Sequence, residues 1–248
     1  MPKTFLAIGA HMDDCEIGAG GVLLQALKAG HRVVVVTVVS DYKSWAHTIG
    51  REEQVKRDLH AVAKKFGYEK RFLDYKYHQT NGRDVGFKQV LSKLQYEIKP
   101  DVAFIHHHED LWPDHVACAE ASQDALLFPH GLSGDLNAPR VPLVYSFGIT
   151  PMQTCRFEPD TFYDVTDVTP QYMDLILHTD GCLSGKPPEE IVKYEFNTLR
   201  TPTPYKMRLG EHGMTTLTYL LQNGYKTGCT FAQGFKTVWG QRRGAPLF

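Results

Sequence analysis

The sequence predicts an α/β domain with a Rossmann-like, mainly parallel sheet that is covered by helices on both faces. Two observations support this. Short apolar runs of strand length alternate with helical patterns through the first half of the chain, and the helical segments are about 10–15 residues long. Such crossovers join parallel strands of one sheet. Because 248 residues can bury one substantial core, we expect a single domain over residues 1–248, with its core in about 1–180 and a loop-rich cap over about 181–248.

The alternating periodicity defines the elements of the first half. Apolar runs at residues 4–10 and 32–39 predict buried strands, and residues 20–28 between them predict a helix. Residues 51–66 repeat apolar side chains near the helical period and are followed by Gly67, a common helix stop. The same criteria predict a strand at residues 71–74, a helix at 85–98 and a buried strand at 102–105.

The pattern weakens in the second half, beyond Pro113. Residues 128–142 are rich in proline, glycine and asparagine and predict a surface loop. The last forty residues carry five glycines from Gly213 to Gly240, which favours the loop-rich cap. The remaining predictions are strands at residues 141–147 and 161–165 and helices at residues 170–177 and 189–199.

The composition argues against several functional classes. The 27 basic and 28 acidic residues give a net charge of −1, so we expect no binding to nucleic acid or to an anionic membrane surface. The longest apolar run, residues 33–39, is far shorter than the roughly 18 residues of a membrane span. The first residues lack an apolar signal core, which favours a cytoplasmic location. The five cysteines are scattered and form no Cys-x-x-Cys pair, so neither disulfides nor a thiolate zinc site is expected.

Two polar clusters follow the first and fourth predicted strands. Residues 10–14 read Ala-His-Met-Asp-Asp, and residues 106–115 read His-His-His-Glu-Asp-Leu-Trp-Pro-Asp-His. Ligands of open parallel sheets bind at the carboxyl ends of the strands, and strands one and four are neighbours in the common doubly wound order. We therefore expect the two clusters to face each other across one crevice.

Imidazole and carboxylate groups in this arrangement favour a catalytic zinc site. Such a site uses three protein ligands and leaves one position to water, whose pKa the metal lowers to about 7. His11 and one of Asp13 or Asp14 would supply two ligands, and a histidine of the second cluster the third. The remaining aspartate would then be free to accept a proton. The spacing does not decide which aspartate binds the metal, and aspartates after a strand are also ordinary loop and helix-cap residues.

The same residues carry a resemblance to a known family. Residues 10–21 read Ala-His-Met-Asp-Asp-Cys-Glu-Ile-Gly-Ala-Gly-Gly, which resembles the Ala-His-Pro-Asp-Asp-x-x-x-Gly-x-Gly-Gly signature of the LmbE-like (PIG-L) zinc deacetylases. Residues 113–117, Pro-Asp-His-Val-Ala, are similar to that family's His-Pro-Asp-His-x-Ala motif. Weaker similarities at residues 51–53, 72–74, 100–102, 162–166 and 231–235 extend the likeness over almost the whole chain.

The resemblance implies a reaction and a set of roles. It implies removal of an N-acetyl group from an amino sugar of the N-acetylglucosamine type or from a glycoconjugate, by attack of zinc-bound hydroxide on the amide carbonyl. His11, Asp14 and His115 would hold Zn²⁺, and Asp13 would be the general base. Arg51 corresponds to a family arginine that contacts the substrate.

Two positions depart from the family pattern. Met12 replaces a proline, which we expect to loosen the turn. Trp112 replaces a histidine that assists the reaction, and an indole cannot transfer protons at neutral pH. We expect Trp112 to stack on the sugar, and the proton to come from Asp13 or from one of the histidines at positions 106, 107 and 108. Strand alternation favours His106 and His108 on the metal side.

Other residues complete the predicted site. His108 and Asp114 join Asp13 as predicted catalytic residues. Trp45, in the loop after the second strand, could stack on a sugar ring, and His178 resembles a family histidine near the substrate.

Three other functions stay open at this stage. An amidase of the same scaffold could act on a larger conjugate or on another acyl group, and a non-catalytic metal- or sugar-binding protein could retain the site. Two histidines and one carboxylate also suit a ferrous oxygenase. The resemblance further implies that the chain could form homo-oligomers.

Overall fold

The strands and helices alternate along the chain in a computed structural model that describes residues 1–41, 43, 48–149, 156–197, 206–240 and 247. The strands are β1 (Thr4–Gly9), β2 (Arg32–Asp41), β3 (Glu69–Lys76), β4 (Val102–His106), β5 (Leu143–Phe147), β6 (Thr161–Asp164), β7 (Tyr194–Asn197), β8 (Lys206–Leu209) and β9 (Ala232–Trp239). The helices are α1 (Asp14–Lys28), α2 (Glu52–Phe66), α3 (Val85–Ile98), α4 (Pro113–Leu127), α5 (Pro129–Ser133), α6 (Thr169–Ser184), α7 (Pro188–Ile191) and α8 (Glu211–Thr227).

Seven strands form one mainly parallel sheet in the order β3-β2-β1-β4-β5-β9-β6. Strands β1 to β5 pair in parallel, and β9 runs antiparallel to both β5 and β6. Strand β1 lies between β2 and β4, with Phe5 opposite Val102. The predicted fold class is confirmed, and so is the expected pairing of the first and fourth strands.

Helices cover the sheet on both faces and divide the core into two clusters. Side chains of α1, α6 and α8 pack with Phe5 and Phe104 in one cluster. Side chains of α3 and α4 pack with Leu6 and Ile8 in the other. Successive side chains of a strand point to opposite faces, so adjacent residues of β1 belong to different clusters. Both faces of the central strands are therefore buried, which explains their continuous apolar runs.

Helix α1 begins at Asp14, six residues earlier than the predicted start at residue 20. The glycines that hid this first part of the helix are required by packing. A methyl group added to Gly18 would overlap the ring of Phe147 on β5, and one added to Gly20 would lie 2.5 Å from the ring of Tyr172 on α6. The small residues thus let α1 approach its neighbours closely.

The second half of the chain contains more regular structure than predicted. Residues 113–127 form the unpredicted helix α4, and the predicted loop at 128–142 contains the short α5. The predicted helix at 189–199 is wrong, because α7 ends at Ile191 and is followed by β7, which pairs with β8. Residues 206–240 are not a loop-rich cap. They form β8, α8 and β9, and β9 enters the main sheet between β5 and β6.

Within the described part of the chain, we find no helix that combines the length and apolarity needed to cross a membrane.

Close packing of α1 makes a stability prediction. We expect Gly18→Ala to lower the free energy of unfolding by about 1–3 kcal/mol, because the added methyl group forces α1 away from Phe147. Urea denaturation of the two proteins measures the change. Gly131→Ala is the matched control, since its added methyl group meets no atom within 4 Å. Equal stability of the Gly18 variant and wild type would show that the sheet accommodates the methyl group.

Candidate metal centre

The turns that follow β1 and β4 bring three side chains of chain-distant segments together. Ligand atoms of His11, Asp14 and His115 all lie within 4.8 Å of one another. His11 Nδ1 is 3.0 Å from His115 Nε2, and Asp14 Oδ1 is 3.4 Å from that same Nε2. Asp14 Oδ2 lies 3.7 Å from His11 Nδ1. The three residues thus form a compact group of two imidazoles and one carboxylate.

The local chain path positions these side chains. Strand β1 ends at Gly9, and the turn is closed where the backbone N–H of His11 donates to Asp14 Oδ2 at 2.6 Å. Asp13 occupies the cap position of α1 but makes no capping hydrogen bond with its side chain, so its carboxylate is left for other contacts. His115 lies in the first turn of α4, which Pro113 begins.

A second carboxylate lies close to the other nitrogen of each imidazole. His11 Nε2 lies 3.2 Å from Asp114 Oδ2, and His115 Nδ1 lies 3.0 Å from Asp110 Oδ1. Asp114 also accepts hydrogen bonds from the backbone N–H of His78, at 2.9 Å, and from Thr80 Oγ1. Carboxylate partners of this kind fix ring orientation and tautomer at metal sites. His11 Nδ1 and His115 Nε2 are thereby directed at each other.

The electrostatics of the group favour a bound cation. Burial alone would raise the pKa of Asp114, but its hydrogen bonds with His11, Thr80 and His78 hold that pKa at about 2. Burial alone would lower the pKa of His115, but Asp14 and Asp110 raise it to about 10. The carboxylates thus stabilise positive charge at this point, and a metal ion would replace the proton on His115.

The donor set fits zinc. Two imidazole nitrogens and a carboxylate oxygen are ligands that zinc accepts, and three protein ligands are the usual number at a catalytic site. The facing ring nitrogens 3.0 Å apart require a proton or a cation between them. His11, Asp14 and His115 are therefore the residues that would hold the metal.

His106 at the end of β4 adds a third imidazole beside Asp14. Its Nε2 lies 3.0 Å from Asp14 Oδ2 and accepts a hydrogen bond from the backbone N–H of Ala10 at 2.9 Å. Burial and the nearby His115 lower the pKa of His106 to about 4, so the ring is neutral. Although burial would raise the pKa of Asp14, His115, His106 and His11 hold it well below its ordinary value. Asp14 is therefore the shared anion of the site.

A buried ion pair lies beneath the turn at residues 10–13 between β1 and α1, which we call the first turn. Lys70 Nζ is 2.7 Å from Glu16 Oε1 and donates to the carbonyl oxygen of Met12 at 2.8 Å. Tyr68 Oη donates to the same Glu16 oxygen at 2.7 Å. The turn that we expected to be loosened by the loss of a proline is instead held at Met12, whose side chain is buried in the core.

Asp13 lies in a second cluster beside the metal ligands. A carboxylate oxygen of Asp13, one of Asp180 and a ring nitrogen of His212 all lie within 4.8 Å of one another. His212 Nδ1 is 2.8 Å from Asp180 Oδ1. Burial and the neighbouring Asp14 raise the pKa of Asp13 to about 6. The carboxyl group predicted as the base is thus joined by an imidazole from α8.

An aromatic wall lies next to His11. The rings of Tyr77 and Trp112 are 5.6 Å and 5.9 Å from the ring of His11, and His78 lies 5.8 Å from Trp112. Tyr77 also lines an open cavity of about 320 Å³, whose other lining residues are Asp41, Lys43, Lys76 and Gln79. The wall therefore connects the metal ligands to a polar cavity.

Two further predicted site residues have contacts of their own. Strand β4 ends at His106, so its alternation does not extend to His108, which is exposed near Glu109 rather than on the metal side. Arg51 donates to the carbonyl oxygens of Cys182 and Leu183 at the end of α6.

Of the last two predicted substrate residues, the structure describes His178 but not Trp45. His178 lies on α6, with its Nε2 2.7 Å from Lys65 Nζ on α2 and its Nδ1 2.8 Å from the carbonyl oxygen of Asp174. Trp45 is outside the described residues. The substrate roles of both residues stay predictions.

The sequence analysis missed four residues of this region: Lys70, Asp110, Asp180 and His212. Asp110 stands inside the second polar cluster and could have been recognised as a partner for a ligand histidine. Nothing local marks the other three. Lys70 is on β3, and Asp180 and His212 are on α6 and α8, so only the fold brings them to the first turn.

Comparisons with known proteins give a consistent picture. Residues 6–126 match the family model described as PIG-L: GlcNAc-PI de-N-acetylase. Over 125 residues the chain is 26% identical to a protein of Escherichia coli K12 named uncharacterized deacetylase YaiS, covering 50% of this chain and 68% of that protein.

Two solved structures share the fold over nearly the whole chain. N,N'-diacetylchitobiose deacetylase from Pyrococcus horikoshii superimposes with a TM-score of 0.72 at 17% identity, covering 95% of this chain and 84% of that one. GalB, the 4-carboxy-2-hydroxymuconate hydratase of Pseudomonas putida KT2440, superimposes with a TM-score of 0.71 at 20% identity, covering 98% and 99%. At these identities the likeness concerns the fold, which carries more than one chemistry.

The carboxylate behind His115 makes a prediction about metal affinity. We expect Asp110→Asn to weaken zinc binding by about 10–100-fold, because the amide holds the imidazole less firmly and makes it a weaker ligand. Competition with a chromogenic chelator measures the affinity. Glu109→Gln, one residue earlier on the same turn, is the control and should bind zinc as wild type does. Unchanged affinity in the Asp110 variant would contradict the orienting role.

The buried ion pair gives a second prediction, which separates its effect on the stability of the fold from its effect on the position of the first turn. We expect Lys70→Met to lower the free energy of unfolding by about 3–5 kcal/mol, because Glu16 becomes an unpaired buried charge. The double variant Glu16→Leu/Lys70→Met should recover much of that stability but leave the Met12 carbonyl without its donor. Urea denaturation and zinc competition together distinguish the two effects. Wild-type zinc affinity in the double variant would mean that the pair supports the fold and not the turn.

Proposed function

Residues 6–126 of this chain match the PIG-L family model, and from that similarity we propose that the protein is a zinc-dependent hydrolase of N-acetylated amino sugars or glycoconjugates. The reaction is hydrolysis of the acetamide bond, which releases acetate and a free amine. The similarity to deacetylases supports the general activity. The proposal adds a specific site, reaction and substrate class for this chain.

One observation carries the proposal. Three ligand atoms converge on a single point, and the carboxylate of Asp13, adjacent in sequence to the ligand Asp14, makes no capping bond. A metal-binding protein without catalysis would need the three ligands alone. A hydrolase also needs a proton acceptor next to the metal, and the position of Asp13 beside Asp14 without a capping bond supports that role.

Each residue of the site has a separate role in the proposed reaction. A zinc ion held by His11, Asp14 and His115 would polarise the amide carbonyl and lower the pKa of water. Asp13 accepts the proton of the attacking water. Asp114 and Asp110 would keep the two ligand imidazoles in the tautomer and orientation that direct His11 Nδ1 and His115 Nε2 at the metal.

The surroundings of the site favour a sugar substrate. Trp112 and Tyr77 present ring surfaces next to His11, and aromatic faces pack well on the apolar face of a sugar ring. The adjoining cavity offers carboxylate, ammonium and amide groups to hydroxyls through Asp41, Lys43 and Gln79. An amidase acting on a larger conjugate would use the same ligands, and the acid it releases distinguishes the two reactions.

The proposal predicts that binding and turnover can be separated at Asp13. We expect Asp13→Asn to retain stoichiometric zinc and to lose about 10²–10⁴-fold in turnover, because the amide cannot accept a proton. Acetate release from a panel of N-acetylated amino sugars and glycosides measures turnover, and elemental analysis measures zinc. Chelator-treated wild type should be inactive and recover when zinc is added.

The outcomes against this proposal are distinct. Release of another acid would move the assignment to the amidase on a larger conjugate. Full activity after removal of all metal would exclude the mechanism. Equal loss of zinc and turnover in the Asp13 variant would make Asp13 a ligand.

A further inference from the structure

The segment at residues 106–112, which joins β4 to α4, does not offer a proton donor for the leaving amine. Trp112 stands where the resembling family carries a histidine, and its indole does not release a proton at neutral pH. His106 is buried, and its Nε2 is occupied by the backbone N–H of Ala10 and lies beside Asp14. His107 is buried on the other side near Ser146, and His108 is exposed beside Glu109. Hydrolysis of an amide nevertheless requires that the departing nitrogen be protonated.

A histidine from a different part of the fold lies beside Asp13. His212 is the second residue of α8, and its side chain is 46% exposed, so a substrate can reach it. Its Nδ1 lies 2.8 Å from Asp180 Oδ1 on α6, and its Nε2 has no hydrogen-bond partner among the described residues. His212, Asp180 and Asp13 have ligand atoms within 4.8 Å of one another. The imidazole is thus held by one carboxylate next to the proposed base.

The packing behind this pair restricts the position of Asp180. A methyl group at Gly210, immediately before α8, would lie 3.2 Å from Asp180 Oδ2. The start of α8 therefore packs closely on the carboxylate, and the carboxylate orients the ring. An imidazole with one nitrogen on a carboxylate and the other free is the arrangement expected of a general acid or base.

We propose that His212, oriented by Asp180, is the catalytic residue that protonates the leaving nitrogen in place of the histidine absent at position 112. The inference rests on the proposed function, because it assigns a step of that same hydrolysis. Asp180 contacts His212 and is a positioning residue.

The proton balance of the step closes. The water oxygen bonds to the carbonyl carbon as one of its protons passes to Asp13. The carbon–nitrogen bond then breaks, and the bonding electron pair goes to nitrogen, which takes the Nε2 proton of His212. The products are a carboxylic acid and an amine. The proton on Asp13 returns to His212, directly or through solvent, and restores both groups.

The charged surroundings of His212 support a protonated ring at neutral pH. The groups that face it are Asp180 on α6, Asp13 on the first turn and Glu211 on α8 itself. The hydrogen bond with Asp180 raises the pKa of His212 to about 9. A donor must carry its proton, so the rate is expected to fall as the pH rises through about 9.

The test compares variants on the N-acetylated sugar that wild type turns over fastest in the acetate-release screen. We expect His212→Gln to lose about 100-fold or more in kcat with unchanged KM and unchanged bound zinc. The fall in rate on the basic side of the pH profile should disappear in this variant. Asp180→Asn should move that fall to lower pH, because the amide no longer stabilises the imidazolium. His60→Gln, an exposed histidine on α2, is the matched control and should match wild type.

A second substrate tests the role of the proton directly. 4-Nitrophenyl acetate has a leaving group that departs without protonation, so His212→Gln should lose far less activity on this ester than on the acetamide. An equal loss on both, a kcat within threefold of wild type on the acetamide, or loss of zinc would overturn the assignment. Wild type that releases no acid from any acetamide would instead remove the proposed function, and with it this step.

Discussion

The parallel pairing of β1 with β4 is the constraint on which the site depends. Because both strands run in the same direction and lie side by side, the turns that leave them start at one edge of the sheet. The first turn supplies His11 and Asp14, and the second supplies His115 and its partner Asp110. If the register of either strand shifted by one residue, the side chains at its carboxyl end would point to the opposite face of the sheet. The core that buries both faces of β1 thus also sets the geometry of the metal ligands.

Charge compensation holds this edge together. Asp14, Asp110 and Asp114 have side chains that are at most 5% exposed, and each lies within 3.4 Å of an imidazole nitrogen. Unpaired, such buried carboxylates would be strongly destabilising. Beneath them, Lys70 and Glu16 form a separate buried pair whose ammonium group also holds the Met12 carbonyl. The site is therefore a network in which the orientation of each group depends on its partner.

The proposed reaction draws on both halves of the chain. The metal ligands and Asp13 come from the segment that matches the PIG-L family model, whereas Asp180 and His212 come from α6 and α8, outside residues 6–126. A fold that keeps its metal ligands in one segment can change its proton donor in another. The replacement of a histidine by Trp112 is then coherent with the position of His212.

The sequence by itself determined the alternating α/β order, the parallel strands of the first half and the two polar clusters. These features follow from the periodicity and residue types within sequence windows of about fifteen residues. Tertiary structure decided the rest. Gly18 lets α1 pack against Phe147, and β9 is an inner strand because β5 and β6 lie on either side of it. Lys70 and His212 reach the first turn through contacts between residues 54 or more positions apart, which no local pattern encodes.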